Sequence, residues 1–231
     1  MAVELQVCPD PAARCAELLA DVAGQGGHIV LTGGSTPGAA YEGAAARRSD
    51  WSGVTLWWGD ERCVPPDDEL SNFALAKRAL LDRLSDPPPA VNRIRGELGP
   101  EAAAEEYQSE LEAAGPPEFD LVLLGLGPDG HLASLFPDQA TLAERERLVV
   151  GVPEAGHEPF VPRVSMTLPL LGKGRRVVFL VSGQSKAAAV AAAFGPDAKP
   201  EPHVPASMLA PFASEVTVLL DEAAATGVPS P

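Results

Sequence analysis

Short, continuous runs of apolar residues recur along this chain and separate stretches of helical composition. Three of these runs are Leu121–Leu124, Val177–Val181 and Val216–Leu220. Such runs are typical of parallel strands that are covered on both faces, and their alternation with helices predicts a parallel sheet. The sequence therefore predicts an α/β fold: an open, mostly parallel, Rossmann-like sheet with helices on both faces and room for a small additional lobe.

Helix-capping residues and apolar periodicity predict the remaining elements. Asp10 is expected to cap a first helix that carries Pro11 in its first turn and ends at Gly24. Further predicted elements are strands at His28–Leu31 and Val54–Trp58, a helix at Pro37–Arg47, and helices that begin at Ser71 and Pro100. Because nothing in this order demands a linker, residues 1–231 are expected to form a single domain.

Composition argues against several classes of protein. The 231 residues carry 17 basic and 32 acidic side chains, and the formal net charge of −15 disfavours binding to nucleic acid or to anionic membranes. The 3 cysteines show neither metal-ligand spacing nor a disulfide framework. The N-terminus lacks a signal-peptide pattern, and no apolar stretch approaches the roughly 18 residues of a membrane span. We therefore expect a cytoplasmic protein without a metal site.

The segment Phe119–Pro137 joins an apolar run to three glycines and a histidine. Gly125, Gly127 and Gly130 match the spacing G-x-G-x-x-G, which is formally a dinucleotide-binding pattern. This interpretation is disfavoured, because the acidic residue that should follow about 20 positions later lacks the expected setting at a strand end. A plain glycine-rich turn is the alternative, and a helix is expected to begin at His131.

Polar residues follow several predicted strands, at the edge where an open parallel sheet forms its site. After His28–Leu31 come Gly33, Gly34 and Ser35, a turn into a helix whose N–H groups and dipole favour an anion. Other strand ends supply Asp60, Arg62 and Lys186. The two cations are candidate anion ligands, although each is also typical of a solvated or ion-paired loop side chain.

Six segments resemble those of the 6-phosphogluconolactonase family, in the same order along the chain. They are LTGGSTP (Leu31–Pro37), WWGDERCVP (Trp57–Pro65), SNFALAKRALL (Ser71–Leu81), GLGPDGHLASLFP (Gly125–Pro137), PRVSMTLPLL (Pro162–Leu171) and SGQSKA (Ser182–Ala187). The resemblance implies hydrolysis of 6-phospho-D-glucono-1,5-lactone to 6-phosphogluconate, in the oxidative pentose phosphate pathway. It implies no metal or organic cofactor, and the expected partner is the small phosphosugar lactone, bound by a monomer or weak homo-oligomer.

The resemblance also assigns roles to individual residues. His131 matches the general base that activates water, a role that suits a side chain titrating near neutrality. Asp129 is expected to orient His131 or the substrate, with helix capping as the alternative. Backbone N–H groups around Gly130 are candidates for the oxyanion hole. The predicted substrate- and phosphate-binding set is Gly33, Gly34, Ser35, Asp60, Arg62, Asn72, Gly130, Arg163 and Lys186.

Two other functions share parts of this pattern. Glucosamine-6-phosphate deaminases resemble Asp-Glu-Tyr where this chain has Asp60-Glu61-Arg62, and Phe-Asn-Glu-Pro where it has Ser134–Pro137. The second difference removes an acidic residue that the deaminase proton relay needs. A sugar-phosphate sensor would need a DNA-reading module, which the acidic charge disfavours.

The chain also departs from the lactonase pattern in two places. Leu132 stands where threonine is often found, and Gly172–Gly174 stand where asparagine followed by alanine is common. Neither departure touches a residue assigned to proton transfer or phosphate binding. The remaining histidines, His28, His157 and His203, are expected to be structural or exposed.

Overall fold

The computed structural model describes residues 2–115 and 118–228. Within these residues the strands are β1 (Ala2–Val7), β2 (Gly27–Leu31), β3 (Val54–Trp58), β4 (Asp60–Arg62), β5 (Ala90–Asn92), β6 (Leu121–Leu124), β7 (Val149–Val152), β8 (Arg163–Met166), β9 (Val177–Val181) and β10 (Glu215–Leu220). Seven of them form one sheet in the order β1-β10-β9-β6-β2-β3-β5, and every neighbouring pair is parallel. The predicted parallel sheet is confirmed.

Helices connect the strands of this sheet. They are α1 (Pro11–Gln25), α2 (Ser35–Arg47), α3 (Asn72–Ala79), α4 (Pro100–Ala113), α5 (Leu168–Leu171) and α6 (Ala187–Phe194). Every residue of the central strands β6 and β9 is buried. Because successive side chains of a strand point to opposite faces, this burial means that both faces of the sheet are covered.

Helix α1 begins as predicted but ends later. The Asp10 carboxylate accepts a hydrogen bond from the N–H of Ala13 at 2.9 Å, and Pro11 occupies the first turn. The predicted end at Gly24 is wrong, because α1 continues to Gln25. Gly26, with φ of 74°, terminates it in a conformation that favours glycine.

Three short strands form a second, antiparallel sheet in the order β4-β8-β7. It corresponds to the small additional lobe of the prediction, although its strands were not individually predicted. In its register Asp60 lies opposite Ser165, and Arg62 lies opposite Arg163. This pairing holds two arginines at the same end of a two-stranded ladder, close to the end of β3.

The helix expected to begin at His131 is absent from the described residues 131–139, and that prediction is wrong. Leu132 and Leu135 instead form an isolated antiparallel bridge, and Ala133 has a positive φ of 47°. The error has a clear cause. Leu132, Leu135 and Phe136 are all buried and are spaced like a helical stripe, so a compact turn imitates helical periodicity.

One cluster of buried apolar side chains contains residues of both sheets, including Val164 and Met166 of β8 and Leu123 of β6. This shared core supports the expectation of a single domain over residues 1–231, which stays a prediction. Across residues 2–115 and 118–228, no helix combines the length and the apolar character needed to cross a membrane.

Candidate active site

A cleft of about 270 Å³ lies at the carboxyl ends of β2, β6 and β9. This edge is where open α/β sheets bind ligands. The cleft brings together nine of the predicted site residues: Gly33, Gly34, Ser35, Asp60, Arg62, Asn72, His131, Arg163 and Lys186. The other two predicted residues, Asp129 and Gly130, lie behind His131 and do not line it. Residues scattered over most of the sequence therefore converge on one site.

His131 is held by Asp129 in the turn after β6. Its Nδ1 lies 2.6 Å from Asp129 Oδ1. Partial burial raises the pKa of Asp129, but the hydrogen bonds and charge of His131 outweigh it and lower this pKa to about 2. Because an ionised carboxylate only accepts, the proton of this contact belongs to Nδ1, and Nε2 of the neutral imidazole is left as an acceptor. Asp129 thus fixes the tautomer that a general base needs.

Glycines make room for this pair. A Cβ at Gly127 would lie 2.0 Å from His131 Nδ1, so any side chain there would displace the imidazole. Gly130 has φ of 84° and donates its N–H to the carbonyl of Gly127 at 3.0 Å. Its own amide is therefore used inside the turn and Gly130 does not line the cleft, so any oxyanion donor among the N–H groups around Gly130 has to come from a neighbouring residue.

The loop after β2 presents backbone N–H groups to the cleft. Gly34, with φ of 110°, is the N-cap residue of α2, and no side chain caps this end. Among the residues that the structure describes, no protein acceptor takes the N–H groups of Gly34 and Ser35. Thr32 is fixed by Tyr41, whose hydroxyl donates to its carbonyl at 2.7 Å. This helix start is a suitable anion-binding element.

Two buried carboxylates link β4 to α3. Asp60 accepts hydrogen bonds from Ser134 Oγ at 2.5 Å and from Asn72 Nδ2 at 3.1 Å. Glu61 accepts from the N–H groups of Asn72 and Phe73, both at 2.8 Å, and so caps the start of α3. Burial raises the pKa of Glu61, although these hydrogen bonds oppose the rise. The network positions Asp60 and Asn72 at the cleft.

The three predicted cations all line the cleft, but they differ in how far the protein already uses them. Arg163 is buried and donates to the carbonyls of His157, Pro159 and Val161 at 3.3, 2.8 and 3.3 Å. Its Nη1 lies 3.4 Å from Ser134 Oγ. Burial lowers its pKa, while the charge of Asp60 raises it. Arg163 therefore has two roles. It fixes the segment 157–161 through hydrogen bonds, and it lines the cleft.

Arg62 and Lys186 are less constrained. Arg62 donates through Nη1 to the carbonyl of Leu70 at 2.6 Å, while its buried Nε has no partner among the described residues. Burial lowers the pKa of Lys186, and the charge of Asp129 opposes the shift. Both cations thus keep hydrogen-bonding capacity for an anionic ligand.

His157 is a cleft residue that the sequence interpretation missed. It was expected to be structural or exposed, but it lines the cleft and its ring centroid lies 5.4 Å from that of His131. It sits in a loop rich in proline, glycine and glutamate, with no motif around it that indicates a site. His28 accepts a hydrogen bond from Trp57 at 2.9 Å and His203 is exposed beside Asp138, as expected for structural or exposed residues.

In the described part of the chain, no group of three or more His, Cys, Asp and Glu side chains is arranged to hold a metal ion. The chemistry that the cleft offers is that of a base, His131, with cationic and N–H donors around it. Such a set can activate water and bind an anionic group.

Comparison with known proteins identifies the family. The sequence profile described as "Glucosamine-6-phosphate isomerases/6-phosphogluconolactonase" matches residues 5–218. The chain belongs to this glucosamine-6-phosphate isomerase/6-phosphogluconolactonase family. A 6-phosphogluconolactonase of Mycobacterium leprae is 43% identical over 214 residues, which cover 87% of this chain and 85% of that protein. One of Synechocystis sp. is 40% identical over 205 residues, covering 86% and 83%.

A solved structure agrees with these relatives of the glucosamine-6-phosphate isomerase/6-phosphogluconolactonase family. The 6-phosphogluconolactonase of Leishmania guyanensis is 27% identical, with a TM-score of 0.84 and full coverage of both chains (100% and 100%). The overall fold of this chain is therefore a known fold of this family.

Proposed function

We propose that this chain is a carboxylic ester hydrolase that converts 6-phospho-D-glucono-1,5-lactone to 6-phospho-D-gluconate, the second step of the oxidative pentose phosphate pathway. The observation that carries the proposal is the Asp129–His131 pair, 2.6 Å apart, in a cleft that also presents Arg62 and Lys186. The family membership and the names of the relatives support it.

In the proposed reaction His131 Nε2 takes a proton from water, and the resulting hydroxide attacks the lactone carbonyl. Asp129 holds the tautomer and stabilises the imidazolium that forms. The tetrahedral intermediate then expels the ring oxygen, which receives the proton back from His131. No step needs a metal or an organic cofactor.

The phosphate is proposed to lie near Arg62, Lys186 and the free N–H groups of Gly34 and Ser35. A phosphate dianion needs several charge-assisted donors, and a chain of net charge −15 must supply them locally. Arg163, Asp60 and Asn72 complete this side of the cleft. The net charge of −15 also supports the expectation of no nucleic-acid or membrane partner. A cytoplasmic location and a monomer or weak homo-oligomer remain part of the proposal.

The site favours the lactonase over a deaminase. Phe136 stands where the deaminase pattern has its acidic residue, and its ring packs against His131 with centroids 4.9 Å apart, so this position offers no carboxylate for a proton relay. The deaminase pattern also has tyrosine where Arg62 adds a cation to the cleft.

The test generates the lactone in place with a glucose-6-phosphate dehydrogenase and follows 6-phosphogluconate with its own dehydrogenase. Because the lactone also hydrolyses unaided, a reaction without the protein is the control. Faster product formation with the protein is the expected result. A rate equal to the control would refute the proposal, and ammonia release from glucosamine 6-phosphate would then point to the deaminase.

A further inference from the structure

His157 contributes a second imidazole to the cleft, and the proposed reaction does not use it. Its ring is partly buried, lines the cleft and lies 5.4 Å from the ring of His131 between centroids, with an angle of 49° between the planes. A substrate whose carbonyl lies next to His131 therefore comes within reach of His157.

The structure fixes the orientation of this ring. Nδ1 of His157 lies 2.9 Å from the carbonyl oxygen of Glu158. Because a carbonyl oxygen only accepts, Nδ1 carries the proton and Nε2 is the free nitrogen. Among the described residues no side chain or backbone group is bonded to that Nε2.

Contacts with Arg163 and Phe136 also fix the backbone around His157. The Arg163 guanidinium donates to the carbonyls of His157 and Pro159. Gly156 lies so close to Phe136 that a Cβ there would be 2.9 Å from the Phe136 Cβ. Phe136 in turn packs against His131, with centroids 4.9 Å apart. Phe136 therefore helps to position both imidazoles: it packs directly against His131, and it contacts Gly156 in the loop that carries His157.

We propose that His157 is a substrate-binding residue whose Nε2 hydrogen-bonds a ring hydroxyl of the lactone. Neutral His157 offers Nε2 as an acceptor, and protonated His157 offers it as a donor. A hydroxyl group matches both states, since it donates and accepts, whereas a phosphate oxygen matches only the protonated one. This inference rests on the proposed lactonase function.

Two amide substitutions separate the nitrogens of His157. In His157→Asn the amide reaches the position of Nδ1 and keeps the bond to Glu158, but the distal contact is lost. In His157→Gln the amide reaches the position of Nε2 and keeps the distal contact. We expect His157→Asn to raise KM about three- to tenfold, the worth of one neutral hydrogen bond, with kcat little changed. His157→Gln should keep KM closer to that of the wild type.

The same coupled assay measures KM and kcat for each variant. His203→Asn is a matched control, because His203 is an exposed histidine whose Nδ1 also has a polar neighbour, Asp138 Oδ1 at 2.8 Å. Thermal unfolding of each variant checks that it folds. A KM for His157→Asn at or below that of His157→Gln would overturn the assignment of His157 and leave the lactonase function standing. A wild-type protein that does not accelerate hydrolysis would overturn both.

Discussion

The two walls of the cleft are built in different ways. The main-sheet wall consists of Gly34, Ser35, His131 and Lys186, which follow the ends of β2, β6 and β9 within a few residues. The small-sheet wall consists of Asp60, Arg62, His157 and Arg163, which β4, β8 and the loop before β8 carry. Local turns position the first wall, whereas hydrogen bonds between distant segments position the second.

The walls also differ in the hydrogen-bonding groups that they leave for a ligand. On the main-sheet wall, His131 Nε2 and the N–H groups of Gly34 and Ser35 face the cleft without a protein partner among the described residues. On the small-sheet wall, Arg163 donates hydrogen bonds to backbone carbonyls, and Asp60 accepts hydrogen bonds from Ser134 and Asn72. We infer that the first wall supplies the base and most of the phosphate-binding groups, whereas much of the hydrogen-bonding capacity of the second wall holds the protein's own segments around the cleft.

The largest expected effect comes from removing the base on the main-sheet wall. His131→Ala should lower kcat by about 10²- to 10⁴-fold, because a general base contributes that much, while calorimetric binding of 6-phosphogluconate stays near the wild-type value. His203→Ala is the control, since that histidine lies outside the cleft. A variant that keeps wild-type turnover would remove His131 from the mechanism.

The next effect tests the residue behind the base. In Asp129→Asn an amide replaces the carboxylate 2.6 Å from His131 Nδ1, and its N–H can donate to that nitrogen. The proton then moves to Nε2, and the base is lost. We expect kcat to fall by about 10²-fold. Nitrogen chemical shifts of the His131 ring should report the exchanged tautomer; an unchanged tautomer with reduced activity would contradict this cause.

The same contrast explains which features the sequence could predict. Buried parallel strands appear as apolar runs, so β3, β6 and β9 were predicted to the residue. The main-sheet wall follows from them, because strand ends meet at one edge. Strand β4, with the sequence Asp-Glu-Arg, has no apolar pattern, since its order comes from pairing with β8.

Sequence also could not reveal how distant side chains share hydrogen bonds. Arg163 makes three hydrogen bonds to the segment 157–161, and these depend on the folded path of that loop. The place of His157 beside His131 depends on the same path. Gly130 shows the limit within a motif, because only the turn geometry decides where its N–H points.

A smaller effect is expected from Arg163 of the small-sheet wall, which holds the segment 157–161 through hydrogen bonds. Arg163→Lys keeps the charge but replaces a planar group that reaches several acceptors by a compact ammonium. Because partly buried carbonyls then lose donors, the free energy of unfolding should fall by about 1–2 kcal/mol in urea titrations, and KM should rise more than kcat falls. Unchanged stability with a raised KM would mean that Arg163 binds substrate directly and does not act as a clamp.

The smallest effect concerns how the affinity for 6-phosphogluconate depends on pH through Lys186 of the main-sheet wall. Burial lowers the pKa of Lys186, while the charge of Asp129 opposes the shift. Only the ammonium form attracts a phosphate, which remains a dianion above a second pKa of about 6. Affinity for 6-phosphogluconate should therefore fall as pH rises through the Lys186 pKa, and this fall should begin at a lower pH than an ordinary lysine would give.

Lys186→Arg tests this origin, because a guanidinium stays protonated, with a pKa above about 12. Calorimetric titration with 6-phosphogluconate, which unlike the lactone is stable in alkali, should show a decline for the wild type and a flat profile for Lys186→Arg over the same range. Parallel declines in both proteins would place the titrating group elsewhere. Phosphate recognition would then shift towards the arginines of the small-sheet wall, and the division of labour between the two walls would have to be redrawn.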